Sequence, residues 1–220
     1  MPPPPKKSKR APKPGTIQFI SVKNFMSYSY AELTPGKKFN VILGPNGSGK
    51  SSIVTAITVG LGGDLKLLKR QKELKDLVNK NCEEDDAAEI IIKLHKGEFN
   101  DEGIPKIDEI KCRITKQMRR AADYWKNNKR VDIQEIQILA RSYKIQTDNL
   151  CQFLPQDVVR EFPEMNPQTI FHNTLKAVGN TEMLELHEGL AEKQKKKIKM
   201  EEMLGNYSFH TFLFSIIYVL

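Results

Sequence analysis

Residues Gly44-Pro45-Asn46-Gly47-Ser48-Gly49-Lys50-Ser51-Ser52 follow the pattern GxxxxGK[ST], and they carry the most legible chemistry in this chain. In such a loop the glycines let backbone N–H groups converge on phosphate oxygens, where side chains would block the approach. The N-terminus of the helix that follows adds a positive dipole end. Lys50 is placed to reach the β- and γ-phosphates, and Ser51 to offer its hydroxyl to Mg²⁺. The expected ligand is a nucleoside triphosphate with Mg²⁺, held by all nine residues.

A phosphate loop functions between a strand and a helix, and the flanking sequence predicts both. Residues 39–43 (FNVIL) read as a buried strand. Ile53, Ala56, Ile57, Gly60 and Leu61 recur at helical spacing, which predicts a helix with one apolar face. A plain Gly-Ser turn between strand and helix is the simpler alternative. Upstream, alternation predicts strands over 16–25 and 28–33, with Thr34-Pro35-Gly36 turning toward the loop. Downstream, a short helix is expected within 66–80 and a loop at the acidic run 83–86. Strands at 89–95 and 109–116 are expected to form a hairpin across a polar loop at 97–108. A helix follows over 132–143, then a strand at 149–154 broken by Pro155. From Asn166 the pattern is helical, interrupted at Gly179-Asn180. The fold class read from this order is α/β.

The chain has 220 residues and is 39% hydrophobic, enough to bury one domain core. Cys82, Cys112 and Cys151 are odd in number and lack CxxC spacing, which points away from a disulfide framework or a zinc site and toward a reducing compartment. The net charge is +8, and five of the cations (Lys6, Lys7, Lys9, Arg10 and Lys13) lie in a proline-rich leader expected to be disordered. Lys6-Lys7-Ser8-Lys9-Arg10 fits a nuclear-import signal or a phosphate-binding arm, and equally a solubilising tail. Residues 181–204 are rich in Glu, Lys, Leu and Met. Met183, Leu186 and Leu190 keep heptad spacing until Lys193 and Lys197 break the seam, so a short coiled coil and a solvated terminal helix are both open. Residues 205–220 depart from this composition as an apolar tail and read as an altered or truncated C-terminus. The uninterrupted apolar run is far shorter than the ~20 residues of a membrane helix, so no span is expected.

A second cluster is basic. Lys111, Arg113, Lys116, Arg119, Arg120, Lys126, Lys129 and Arg130 face one acidic residue, Asp123, with Tyr124 and Trp125 among them. Lys111 and Arg113 alternate with Cys112 and Ile114, which sets the cations on the solvent face, open to DNA phosphates or simply to water. Tyr124 and Trp125 are expected to pack beneath the hairpin, with stacking on bases as the alternative.

One catalytic part is missing. Phosphoryl transfer at such a loop ordinarily needs a carboxylate ending a second apolar strand, and no run of four apolar residues ending in Asp occurs here. The site therefore reads as half a site, inactive or nearly so alone. A self-contained small NTPase or kinase, and a non-catalytic fragment binding DNA or a partner, are the competing readings.

The order of these pieces resembles the N-terminal head segment of structural-maintenance-of-chromosomes ATPases over residues 16–204. Carrying the resemblance are Ser21-Val22-Lys23-Asn24-Phe25-Met26-Ser27-Tyr28, the loop itself and Ala56-Ile57-Thr58-Val59-Gly60-Leu61-Gly62-Gly63. The most distinctive segment is Asp148-Asn149-Leu150-Cys151-Gln152-Phe153-Leu154-Pro155-Gln156-Asp157-Val158-Val159. It implies a P-loop NTPase head of the ABC type: a leader (1–15), an N-terminal lobe (16–180), the start of a coiled-coil arm (181–204) and the tail (205–220). Gln156 is then the Q-loop glutamine, contacting Mg²⁺ through its amide carbonyl. Arg70 falls where the family has an arginine proposed to sense DNA, although Leu68-Lys69-Arg70-Gln71-Lys72 departs from the usual glycine-arginine setting. The family's aspartate, catalytic glutamate and signature motif lie in a C-terminal head segment beyond long arms and a hinge. The implied partners are that segment, a second subunit of the family and DNA, with no membrane. The implied setting is the chromosome, in the nucleus, in DNA repair and recombination. A zinc-hook repair ATPase shares this head plan and stays open at this point.

Overall fold

The computed structural model describes residues 12–64, 73–83, 85–118, 121–154, 156, 159, 163–178 and 181–217, with side chains in the last stretch only for 183–204. The chain forms two compact units, Met1–Met165 and Asn166–Leu220.

The first unit is built on an antiparallel sheet of six strands. They are β1 (Ile17–Phe25), β2 (Tyr28–Leu33), β3 (Ala87–Phe99), β4 (Pro105–Thr115), β5 (Asp123–Lys126) and β6 (Lys129–Val131), in the spatial order β2-β1-β3-β4-β5-β6. Alternation divides the sheet into two faces, because successive side chains point to opposite sides. Register aligns Val22, Ile90, Cys112 and Tyr124 in one row across β1, β3, β4 and β5, and all four are buried. The neighbouring row, Ser21, Ile91, Lys111, Trp125 and Arg130, lies on the opposite face.

Helix α1 (Lys50–Gly60) packs its Ile53, Ala56, Val59 and Gly60 side into the core. Gly60 is needed for this approach: a Cβ there would lie 2.6 Å from Ile92 Cδ1. The far end of α1 is pinned from two sides. The buried Tyr124 hydroxyl donates to Val59 O at 2.8 Å, and Gln137 Nε2, from α2 (Ile133–Ser142), donates to Gly62 O at 2.8 Å. Burial raises the Tyr124 phenol well above its ordinary range and pushes the Cys112 thiol up to about 12, so neither ionises near neutral pH.

Four expectations need correction. Residues 39–43 form no strand: Phe39 is 87% and Leu43 86% exposed, and no described strand pairs with them. An apolar run becomes a buried strand only with neighbours, and the antiparallel sheet offers it no place. The polar loop at 97–108 shrinks to a turn around 100–104, because β3 and β4 continue into it. The turn is closed by Asn100, whose N–H donates to Ile104 O and whose side chain accepts from Ile104 N, with a Glu98–Lys106 ion pair beneath. Residues 149–154 are turns, since the buried Asn149 side chain accepts from Cys151 N and donates to Gln146 Oε1, taking the chain out of extension. Tyr124 packs beneath the hairpin as expected, whereas Trp125 sits on the outer face opposite Lys111.

The β5–β6 hairpin itself was not anticipated. Its signal was Asn127-Asn128 between Tyr124-Trp125-Lys126 and Lys129-Arg130-Val131. Both asparagines are left-handed, at φ 49° and 66°, as a two-residue hairpin turn requires.

The second unit contains α3 (Pro167–Val178) and α4 (Thr181–Ile217). The Phe171 ring meets His187 edge-on at 5.0 Å, and His172 lies 3.7 Å from Glu188. Met183, Leu186 and Leu190 are exposed. No helix is long and apolar enough to cross a membrane among the described residues.

Candidate nucleotide site

The loop enters α1 through Gly49, which holds φ 95° and ψ 8°. Gly47 is also left-handed, at φ 83°. These angles favour glycine, and at Gly49 space demands it too. A Cβ there would sit 2.6 Å from Ser27 Oγ and 2.7 Å from Tyr28 Cζ, whereas one on Gly47 would meet nothing within 4 Å. Gly49 is thus pressed against protein, and Gly47 presents an open side.

The first N–H groups of an α-helix have no acceptor within the helix, and in α1 the first two are those of Lys50 and Ser51. Lys50 folds back on the loop, its Nζ donating to Gly44 O at 2.7 Å and Pro45 O at 2.6 Å. Ser51 is exposed, while Ser52 is buried with its Oγ 3.3 Å from Ser27 Oγ.

Lys50, Ser51 and Gln156 line one cleft of about 1360 Å³, although Gln156 lies 106 positions later in the sequence. Asn46, Gly47, Gly49 and Ser52 share this wall, while Gly44, Pro45 and Ser48 stand outside the lining. Sequence reasoning missed the rest of the lining, formed by Met26, Ser27, Lys75, Asp76, residues 78–81 and Lys116. Lys75, Lys80 and Lys116 bring positive charge to it, against one lining carboxylate, Asp76. Lys75 pairs with Glu73 at 2.6 Å, and Lys116 donates to Cys82 O at 2.8 Å. Four lysines around one cleft concentrate polyanions. The local signal was the lysine-rich composition of 66–80.

These groups fit a Mg²⁺–triphosphate: backbone N–H donors and an ammonium for phosphate, a hydroxyl and an amide carbonyl for a hard cation. Among the described residues no cluster of three or more His, Cys, Asp or Glu could hold a metal.

Of the DNA-contact candidates, the two described ones, Lys111 and Arg113, are not among the residues lining this cleft. Arg70, Arg119 and Arg120 lie outside the described residues, as does Pro155. Lys111 is on the outer sheet face, paired with Glu89 at 3.0 Å, and Arg130 is paired there with Asp123 at 2.5 Å. Arg113 is exposed on the same face.

A family model described as an AAA domain matches residues 20–208. Structural maintenance of chromosomes protein 5 of Schizosaccharomyces pombe is 34% identical over 194 residues, covering 87% of this chain and 16% of that protein. The chain belongs to the AAA-domain family and is homologous to the structural-maintenance-of-chromosomes proteins. The protein 5 of Arabidopsis thaliana is likewise 34% identical over 192 residues, covering 87% of the chain and 17% of the relative. The chain thus spans about a sixth of the length of these relatives and is homologous to their N-terminal head segment. A solved chain from the structural biochemistry of ATP-driven dimerization and DNA-stimulated activation of SMC ATPases superposes with a TM-score of 0.59 at 26% identity. The match covers 73% of this head segment and 98% of that chain. The head segment therefore has the P-loop NTPase fold expected from the sequence, in a mixed α/β form with an antiparallel sheet, and that fold binds nucleotide.

Proposed function

We propose that this head segment is one side of a composite ATP site in a chromosome-maintenance ATPase of the fifth subunit type. It acts in DNA repair and recombination in the nucleus. The loop 44–52 seats the phosphates of ATP, with Lys50 against the β- and γ-phosphates, and Ser51 and Gln156 hold Mg²⁺, which neutralises phosphate charge when bound. One observation carries the reading: Gln156 shares the cleft of Lys50 and Ser51 across 106 positions of sequence.

The missing carboxylates come from a C-terminal head segment, and the second face of the site from a partner head of the sixth subunit type. The exposed apolar residues 39–43 support this, because a strand there needs neighbours that the six-stranded sheet does not supply. The arm beginning in α4 leads toward a hinge. DNA contacts fall to Arg113 and to the cations at 70, 119 and 120, since Lys111 is already engaged by Glu89.

Co-expression with a separately encoded C-terminal head segment tests the proposal. The 220-residue chain alone is expected to turn over ATP negligibly, the mixture to gain activity, and Lys50→Ala to abolish it. Robust hydrolysis by the chain alone that disappears on Lys50→Ala would falsify the half-site reading in favour of a self-contained NTPase.

A further inference from the structure

The turn joining β1 to β2 touches the phosphate loop, and the way it is held is unusual. Asn24 and Met26, neither of them glycine, are both left-handed at φ 49°. L-residues hold such angles when their surroundings impose them. Here the surroundings are residues 77–79, beside the short 3₁₀ turn Leu74–Leu77. Met26 N–H donates to Leu77 O at 2.7 Å, Asn79 N–H donates to Asn24 O at 2.9 Å, and Phe25 forms an antiparallel bridge with Val78. Phe25, Leu77 and Val78 are all buried, so this clasp is anchored in the core.

What the clasp presents is Ser27 and Tyr28. Ser27 Oγ lies 3.3 Å from Ser52 Oγ in the first turn of α1. Both side chains crowd Gly49, where a Cβ would come within 2.8 Å of Ser27 Oγ, Tyr28 Cζ and Tyr28 Oη. Gly49 is the left-handed residue that turns the loop into the helix and sets where the N–H groups of Lys50 and Ser51 point.

We propose that the clasped turn 24–28 is a buttress that fixes the phosphate loop at Gly49, making Ser27 and Tyr28 positioning residues for the phosphates of the bound nucleotide. The inference rests on the nucleotide-site reading above. Its chemistry is that of preorganisation: a loop already held in its binding geometry gives up less freedom on meeting a polyphosphate. Tyr28 stands outside the cleft lining and needs no contact with the ligand, while Ser27 both lines the cleft and braces Gly49.

Two measurements on the 220-residue chain test this with Ser27→Ala, Tyr28→Ala and Tyr28→Phe. The first is amide hydrogen exchange without ligand. Tyr28→Ala is expected to speed exchange at Gly47–Ser51 by about tenfold, leaving the later amides of α1 unchanged, and Ser27→Ala by about threefold. Tyr28→Phe keeps the ring wall and is expected to restore near-native exchange. Ser27 is exposed, so its variant keeps the fold even if loss of the Tyr28 ring loosens the core. The second is binding of inorganic pyrophosphate and of ATP, both expected to weaken by a common factor of about ten in Tyr28→Ala.

Unchanged loop exchange in both alanine variants overturns the buttress. So does a loss confined to ATP with pyrophosphate unaffected, which would make Tyr28 a direct contact to the nucleoside. If the unaltered chain binds neither probe, the nucleotide reading fails, and the exchange measurement still decides the buttress.

Discussion

The two flanks of the phosphate loop are both apolar in sequence, yet they meet opposite fates. On the C-terminal side, Ile53, Ala56 and Val59 of α1 are at most 2% exposed against the sheet. On the N-terminal side, Phe39, Val41, Ile42 and Leu43 are 43–87% exposed. Hydrophobicity alone therefore does not decide burial; a partner surface does. The antiparallel sheet gives α1 such a surface and gives residues 39–43 none, so the loop is anchored at one end.

The anchored flank is where substitution should cost most. Ile92 is fully buried on β3 and is the residue that Gly60 of α1 approaches. Ile92→Ala deletes buried methylenes and leaves a cavity between helix and sheet, so thermal or urea melts should record a loss of about 2–5 kcal/mol. A loss below about 1 kcal/mol would mean that the helix–sheet contact is looser than its packing implies.

A smaller effect belongs to the polar network closing the same body. Asp108 is 4% exposed and accepts from Tyr143 Oη at 2.7 Å, Asn127 Nδ2 at 2.9 Å and Lys96 Nζ at 3.0 Å. Burial alone would raise its pKa, but these donors outweigh burial and hold it below the ordinary carboxylate value. A depressed folded pKa gives stability that is present above the unfolded pKa and lost as pH falls through the folded one. Asp108→Asn should therefore cost about 1–3 kcal/mol at neutral pH and flatten the acid limb of stability against pH. His95 adds to that limb with its own window. Burial first, and Lys37 second, lower its pKa, so the folded state resists protonation and destabilisation builds as pH drops below about 6.5. An acid limb unchanged in Asp108→Asn would show that the network contributes geometry without charge.

The same contrast separates what was legible in the sequence from what was not. Periodicity gave β1, β2 and α1 because their partners lie within the chain: Val22 meets Ile90, and Ile90 meets Cys112, in the alternation that the sequence displays. The loop was legible because its glycines answer to local angles. Residues 39–43 misled because a mostly apolar run carries no information about whether its neighbour strands are present. The part of the cleft lined by Lys75, Asp76 and residues 78–81 was illegible for a different reason. Its convergence with Lys50 depends on the clasp at 77–79, a pairing of backbone atoms that leaves no side-chain pattern. Gln156 came from resemblance; nothing in an isolated glutamine in a loop distinguishes it from a solvated one.

The smallest expected effect is on the unanchored flank, and it is the one that can reverse. Leu43 is 86% exposed in this chain, so Leu43→Ser should shift its melting free energy by no more than about 0.5 kcal/mol. If residues 39–43 are a strand waiting for neighbours from a C-terminal head segment, the same side chain becomes core in the assembled head. The substitution should then cost the complex about 2 kcal/mol or more, read as weaker co-purification and a lower complex melt. Equal and small effects in both states would mean that the pentad stays outside the assembled sheet. The loop would then be positioned from the α1 side alone.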